Sequence, residues 1–592
     1  MITALFPRRI AVVAFFATGL TLCSMTADAD YRSDIGYTKL QQDLGASIPT
    51  GAGVPVSQVE ATLWENSQWV WLPDITNAEF IGKTITNPSS AGPGLYSGHA
   101  TAVGQAFYGT VTSIAPAITS IAAYSVENWQ SSGFLRTGAG GLQPKYSTSR
   151  IKNHSVVWSN TSGDVYVLRR TDWVVETDEL IQVVAVSNGS GSSSTAPLLA
   201  SAFNVIAVGL SSGQHDVGSV ALDSTYIAGR TRPDIVAPAS GTSIATPYVA
   251  AAAALLVELG NTDPGLSTDP VSVSMTNRAG VLVRNAERSE VIKAALMAGA
   301  DRVTHNSAPN PTNLALYRGT VQNQATNGLD KRYGAGQLNV RNSYWIIAGG
   351  EQNSTEDGNV AANVSSRGFD YDPHFGGGNS TNTTATYPLP IQTYPRLLTA
   401  SLVWNLDIEG GTYTSFDPAV TQVCAPARTL CNLNISLIDL GNGDAVVASS
   451  ASTIENTENL WVVIPANAQY GLRVTRTGND FDWDYGLAWQ LLKDADADGA
   501  HDGQDNCINI ANSEQIDSDN DGFGNRCDGD MDNNGSTNAF DTPLFRQQIG
   551  QPSVAPTYNI ADLNANGYVN AFDIPLFRSL LGSAPGPSGL VP

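Results

Sequence analysis

The chain has 592 residues, more than one hydrophobic core usually organises, so several domains are expected. Its formal charge of −23, with no basic patch to offset the acidic field, excludes nucleic acid as a partner class. Past the first residues no segment approaches about 18 uninterrupted apolar residues, so nothing else reads as membrane-spanning.

In chain order, Arg8-Arg9, the apolar stretch Ile10 to Leu22 and the small-x-small site Ala27-Asp28-Ala29 read as an export signal over residues 1–29. The mature chain is then expected to be secreted, extracellular or surface-associated. Cys23 leaves with the signal. The remaining cysteines form two close pairs, Cys424 with Cys431 and Cys507 with Cys527, which in an exported chain read as disulfides. Gly53-Val54-Pro55-Val56-Ser57-Gln58-Val59-Glu60 reads as a strand. In Ser97-Gly98-His99-Ala100-Thr101-Ala102-Val103-Gly104, small residues at helical spacing let a helix pack closely and hold the imidazole of His99. His154, His215, His305, His374 and His501 lack that setting. Val183 to Gly189 is an apolar strand ending in Asn188-Gly189.

Gly241-Thr242-Ser243-Ile244-Ala245-Thr246-Pro247, ahead of Tyr248-Val249 and the apolar stretch Ala250 to Val257, is the most informative segment. A small-residue loop sets a serine at the mouth of a helix, whose unpaired N–H groups and positive dipole end favour developing negative charge. Pro247 suits a first helical turn. The serine needs a base to take its proton, and His99 is the candidate.

From Glu351 to Thr386 the Asn, Ser, Gly and Thr content reads as a linker or long surface loop, assigned to residues 350–386. Beyond it, Leu397 to Trp404, Leu433 to Leu440, Leu460 to Ile464 and Tyr470 to Thr475 read as short strands of a β-sandwich over 387–491. Fourteen aspartates then fall between Asp494 and Asp573. Such density cannot fold unless cations neutralise it, and oxygen ligands at alternating positions select calcium as a structural ion. Asp494, Asp496, Asp498, Asp502 and Asp505 form one group, Asp517, Asp519, Asp521 and Asp528 a second. An internal repeat at a 32-residue offset follows: Asp530, Asp532, Asn534, Ser536, Asn538 and Asp541, then Asp562, Asn564, Asn566, Tyr568, Asn570 and Asp573. Both copies place glycine at position 6, as an EF-hand-type loop requires. Pro-Leu-Phe-Arg follows each loop as one helical turn (Pro543 to Arg546, Pro575 to Arg578).

These motifs resemble those of the subtilisin-like serine peptidases. The serine segment matches the family almost letter for letter, the His99 segment is similar, and Phe203 to Gly209, Pro233 to Pro238 and Arg332 to Val340 resemble later family segments in the same order. The resemblance implies a mostly parallel α/β catalytic domain over 30–349, needing no cofactor for catalysis, that hydrolyses peptide bonds of protein or peptide substrates. It assigns the oxyanion to the Asn188 amide and the Ser243 N–H. Alignment of Gly53-Val54 with the family's strand puts Glu60 where the family has aspartate, with Asp74 as second choice. The order Glu60, His99, Asn188, Ser243 is that of this family and differs from the trypsin-like and α/β-hydrolase orders. Sedolisins also pair glutamate with serine but lack a triad histidine. About 30 residues between Asp30 and Glu60 are too few for a folded pro-domain. The sandwich resembles the jelly roll some subtilases carry. Residues 494–528 resemble thrombospondin type 3 repeats, with Asn525 in place of one usual aspartate, and 529–582 resemble a dockerin ahead of a tail over 583–592. A dockerin implies a cohesin-like partner. Ala539-Phe540 and Ala571-Phe572, where cellulosomal dockerins commonly have Ser-Thr, place that partner outside the standard cellulosomal set. Two alternatives remain open on sequence alone: an inactive adhesion or assembly protein, and a calcium-stiffened spacer without a partner.

Overall fold

The computed structural model describes residues 31–591 apart from 66, 90–94, 139–140, 158–164, 190–196, 305–312, 359–362, 377–381, 413–414, 425–428, 478–481 and 556. The expected export signal and His305 lie outside the described residues.

Seven strands build the first layer: β1 (Val56–Glu60), β2 (Thr84–Thr86), β3 (Ser120–Ser125), β4 (Ile151–His154), β5 (Ile181–Ala185), β6 (Ile206–Leu210) and β7 (Ile235–Ala237). They pair in the order β2-β3-β1-β4-β5-β6-β7, every pair parallel. Parallel neighbours need crossover connections, and helices α1 (Gly98–Tyr108), α2 (Val165–Asp178), α3 (Thr242–Thr262), α4 (Ser289–Gly299) and α5 (Val340–Ala348) supply cover for the sheet. Ala250 to Ala254 of α3 are fully buried, their short side chains seating the helix against the sheet. Although α3 is long and apolar enough to cross a bilayer, it is a buried core helix here. After β1 the chain fills β2 and β3 on one side and then crosses to β4 on the other. In open α/β sheets ligands bind beyond the carboxyl ends of the strands at such a switch in strand order.

The second unit is a sandwich of two four-stranded antiparallel sheets. Its strands are β8 (Arg367–Phe375), β9 (Thr384–Pro388), β10 (Arg396–Val403), β11 (Asn432–Asp439), β12 (Ala445–Ser450), β13 (Thr457–Ile464), β14 (Tyr470–Thr477) and β15 (Trp483–Lys493). The sheet orders β8-β15-β10-β13 and β9-β14-β11-β12 are those of a jelly roll. The linker expected over 350–386 is corrected: β8 lies inside it and β9 begins there. Phe369 and Tyr371 join the core of the first unit, while Asp370 turns inward to accept a hydrogen bond from the Tyr387 hydroxyl at 2.6 Å.

The two units are packed together. Thr399 Oγ1 and Gln490 Nε2 both donate to the Ala298 carbonyl at the end of α4, at 2.7 and 3.1 Å. A hairpin, Ile408–Thr412 with Ser415–Val420, lies against α2, setting Phe416 on Trp173 and Arg170.

The acidic segment continues from β15 and touches the first unit, where Asn313 Nδ2 donates to the Glu514 carbonyl at 2.6 Å. Helices α6 (Asp541–Gln548) and α7 (Asp573–Leu580), longer than the single turns expected, pack through Phe545 stacked on Phe577 at 4.4 Å. Residues beyond α7 double back: Gly586 N–H bonds to Cys527 O, Gly589 N–H to Asp505 O, and Ser588 Oγ to Gly522 O.

Candidate active site

Glu60 is the last residue of β1, and the structure brings it to His99. Ser97 caps α1 by accepting from Ala100 N–H at 3.3 Å, which places His99 in the first helical turn. The His99 Nδ1 lies 2.8 Å from Glu60 Oε2, with the carboxylate buried and the imidazole side chain 34% exposed. One end of the ring is thus anchored while the side chain stays partly open to solvent. Asp74, the second choice, is occupied otherwise, accepting from Thr76 N–H at 2.9 Å and its hydroxyl at 2.7 Å. Burial works against a charge on His99, but the Glu60 charge and its hydrogen bond outweigh it, so the imidazole pKa lies above its ordinary value. Burial drives His154 down to about 3 and His215 to about 4. Both are neutral framework residues, His215 accepting from Leu210 N–H and bonding the Arg332 carbonyl.

Ser243 is the second residue of α3, the helix that packs against α1. Pro247 falls at the sixth helical position instead of the first turn. Its missing N–H would otherwise bond the Ser243 carbonyl, and the Ser155 hydroxyl fills the gap at 2.8 Å. Asn188 stands past the end of β5, its Oδ1 accepting from the Thr242 N–H at 2.9 Å and the Thr242 hydroxyl at 3.2 Å. With Oδ1 engaged, the donor Nδ2 is the end of the amide left for a ligand. Sequence reading missed Gln58, Tyr108 and Thr242. For Gln58 a signal existed: a strand buried on both faces should be almost wholly apolar, and β1 carries Ser57, Gln58 and Glu60.

In the acidic segment three groups gather their carboxylates: Asp494 with Asp496 and Asp498, Asp517 with Asp519 and Asp521, and Asp530 with Asp532 and Asp541, the ligand atoms of each within 4.8 Å of one another. All four loops share one backbone. Their fourth residues, Ala497, Asn520, Asn533 and Ala565, have φ of 66, 61, 53 and 54°, and their sixth, Gly499, Gly522, Gly535 and Gly567, φ of 95, 94, 90 and 94°. A left-handed alanine costs roughly 1–2 kcal/mol, offset in the first loop by the bond from Ala497 N–H to Asp494 Oδ1 at 2.8 Å. Loop amides cover the first and last carboxylates in both EF-type copies: Asp530 accepts from Asn534 N–H and Asp562 from Asn566 N–H, while Asp541 accepts from Asn538 N–H and Asp573 from Asn570 N–H. Burial first and neighbouring charge second push Asp496 up to about 7, and burial pushes Asp528 to about 7 and Asp505 and Asp517 to about 6. Both Asp496 carboxylate oxygens and one each of Asp505 and Asp528 are buried without a hydrogen-bond partner. Orphaned oxygens in a crowd of carboxylates fit a hard divalent cation. Asp502 is drawn aside into an ion pair with Lys493 at 2.6 Å. The Cys507–Cys527 disulfide is formed. Cys431 is disulfide-bonded, and the Cys424 side chain lies outside the described residues.

Parallel sheet, buried core helix and a serine at that helix's start are compatible with a serine-type peptidase. Residues 74–336 match the model of the subtilase family, and residues 493–515 and 516–551 each match the thrombospondin type 3 repeat. The chain therefore carries a subtilase-family serine peptidase domain followed by thrombospondin type 3 repeats, the second of which takes in the first EF-type loop. No curated protein matches the chain. Among solved structures, the prenylagaramide maturation protease PagA is 19% identical, covering 52% of this chain and 98% of its own, with a TM-score of 0.33. A cold-adapted subtilisin-like serine proteinase is 15% identical over 45% of this chain and 88% of its own, at 0.27. A chain from a structure of subtilase cytotoxin SubAB assembly is 13% identical over 54% and 95%, at 0.34.

Proposed function

We propose that the protein is an exported serine endopeptidase whose triad is Ser243, His99 and Glu60, with calcium-dependent modules behind it. The observation that carries this is the 2.8 Å contact of His99 Nδ1 with buried Glu60, on a helix that packs against the helix carrying Ser243. In this reading Ser243 Oγ attacks the scissile carbonyl carbon while His99 Nε2 takes its proton, and Glu60 stabilises the imidazolium. Negative charge gathers on the carbonyl oxygen, met by the Ser243 N–H and the Asn188 Nδ2, each such donor worth about 3–4 kcal/mol. Collapse of the tetrahedral intermediate breaks the C–N bond as His99 passes its proton to the leaving amine. Water then repeats the sequence on the acyl-enzyme.

A serine-directed fluorophosphonate tests the reading: the full chain should be labelled at Ser243, and Ser243→Ala should not. An unlabelled parent protein transfers the chain to the inactive adhesion reading. The acid has its own readout. The acid limb of kcat/KM should titrate above the ordinary histidine value of about 6.5, because the base must be neutral and Glu60 holds its proton on. Glu60→Gln should move that limb down and lower kcat by about 10⁴, as for the acid of other serine triads, with Glu60→Asp less impaired. Parent-like activity in Glu60→Gln would remove the acid role.

Calcium is proposed as the ion of the four loops, held by Asp494, Asp496 and Asp498; Asp517, Asp519 and Asp521; Asp530, Asp532 and Asp541; and Asp562 and Asp573 with the loop asparagines. It supplies the positive charge that lets these carboxylates ionise together. Docking onto a cohesin-like partner is the proposed role of residues 529–582. The support is that Phe540 and Phe572, at equivalent loop positions, are each 74% exposed.

A further inference from the structure

We infer that Gln58 is a positioning residue that fixes the Glu60 carboxylate against His99, itself held by the Tyr108 hydroxyl. The inference rests on the reading of Glu60 as the orienting acid. Residues two apart on a strand share a face, so Gln58 lies beside Glu60 along β1. Its amide is used at every hydrogen-bonding end. Nε2 donates to Glu60 Oε1 at 2.9 Å and to the Ala100 carbonyl at 2.8 Å, and Oε1 accepts from the Tyr108 hydroxyl at 2.5 Å. Gln58 and Tyr108 are fully buried and Glu60 is 1% exposed, so water does not compete. Burial, and then the nearby Glu60 charge, keep the Tyr108 phenol protonated, so its hydroxyl has a proton to donate to Gln58 Oε1. A flipped amide would turn its oxygen onto a carboxylate and a carbonyl, which excludes that orientation.

The arrangement answers a specific problem. Glutamate has one more rotatable bond than the aspartate the family uses, and an acid that swings loses its grip on the ring. Here Oε2 meets His99 and Oε1 meets Gln58, so both oxygens are pinned. Ala100 follows His99 on α1, so the same amide ties the acid's strand to the base's helix. Gly104 makes room for the link: a Cβ there would lie 2.7 Å from the Tyr108 hydroxyl and 2.9 Å from Phe80 Cζ.

The test is steady-state kinetics of the full chain on a small peptide substrate across pH. Gln58→Met/Tyr108→Phe removes the amide together with the hydroxyl that would otherwise be left unpaired. We expect kcat to fall roughly tenfold to a hundredfold, KM to stay within about twofold, and the acid limb of kcat/KM to move down toward that of Glu60→Gln. A merely structural glutamine would lower the thermal midpoint and leave kcat and the limb in place, and that result overturns the inference. Gly104→Ala, which displaces the hydroxyl without touching either side chain's chemistry, should show a smaller fall in kcat of the same kind; the parent kcat in that variant also counts against it. Glu60→Gln separates the two readings. If it is crippled while the double variant is not, only the positioning role fails; if it turns over like the parent, the acid role fails and the positioning role with it.

Discussion

Replacing Ser243 by alanine is expected to lower kcat by on the order of 10⁶, the loss that follows removal of a triad nucleophile. The fold should barely respond. Ser243 is half-buried, and the bond it receives from Ser155 ends on its main-chain oxygen, which alanine retains. Unfolding free energy is therefore expected to stay within about 1 kcal/mol of the parent. The measurement pairs peptide hydrolysis with thermal unfolding of the same sample. Undiminished turnover would place the nucleophile elsewhere; a collapse of stability would mean that the side chain serves packing.

The second large effect is expected from a calcium chelator. A cation that binds only the folded loops stabilises them by RT ln(1 + [L]/Kd), about 2.7 kcal/mol per site at a hundredfold excess over Kd. The described apolar core of the paired EF-type unit is small, centred on Phe545, Ala561, Leu563, Val569 and Phe577. It is too small to offset the repulsion among that unit's own carboxylates, Asp530, Asp532 and Asp541, without a cation. Chelation should make the chain protease-sensitive beyond Lys493 while hydrolysis of a small peptide by the same sample continues. The two assays separate the possibilities: a tail that stays protected removes the calcium assignment, and lost hydrolysis with an intact catalytic region places another ion there.

Sequence and structure part company at identifiable residues. The serine helix was legible because Gly241 to Pro247 is a local pattern, and four strands of the sandwich, starting near Leu397, Leu433, Leu460 and Tyr470, because apolar residues recur closely between turn signals; Ala445–Ser450 and Trp483–Lys493 were not read. β8 was not, since Arg367 to Phe375 interleaves Asp370 and Asp372 with its aromatics and contains Pro373, all marks of a loop. Those aspartates are buried, and Asp372, pushed up to about 8 chiefly by burial, fits the interior as a neutral acid. Only the tertiary pairing of β8 with β15 explains them. In the same way Glu60 was singled out by alignment of its strand, but Gln58 and Tyr108 are 50 residues apart and nothing local joins them. The acidic loops were found as composition. That the four share left-handed residues at positions four and six is a property of backbone, visible only in dihedral angles.

The returning segment has a mechanical consequence. Because Gly586 and Gly589 bond to Cys527 and Asp505, a load applied beyond residue 591 is delivered beside the first acidic repeats, not at the end of α7. Force would be borne in shear by a few main-chain bonds next to a cross-linked cysteine pair, and the stacked helices α6 and α7 would sit in a slack bight, shielded until that strap peels away.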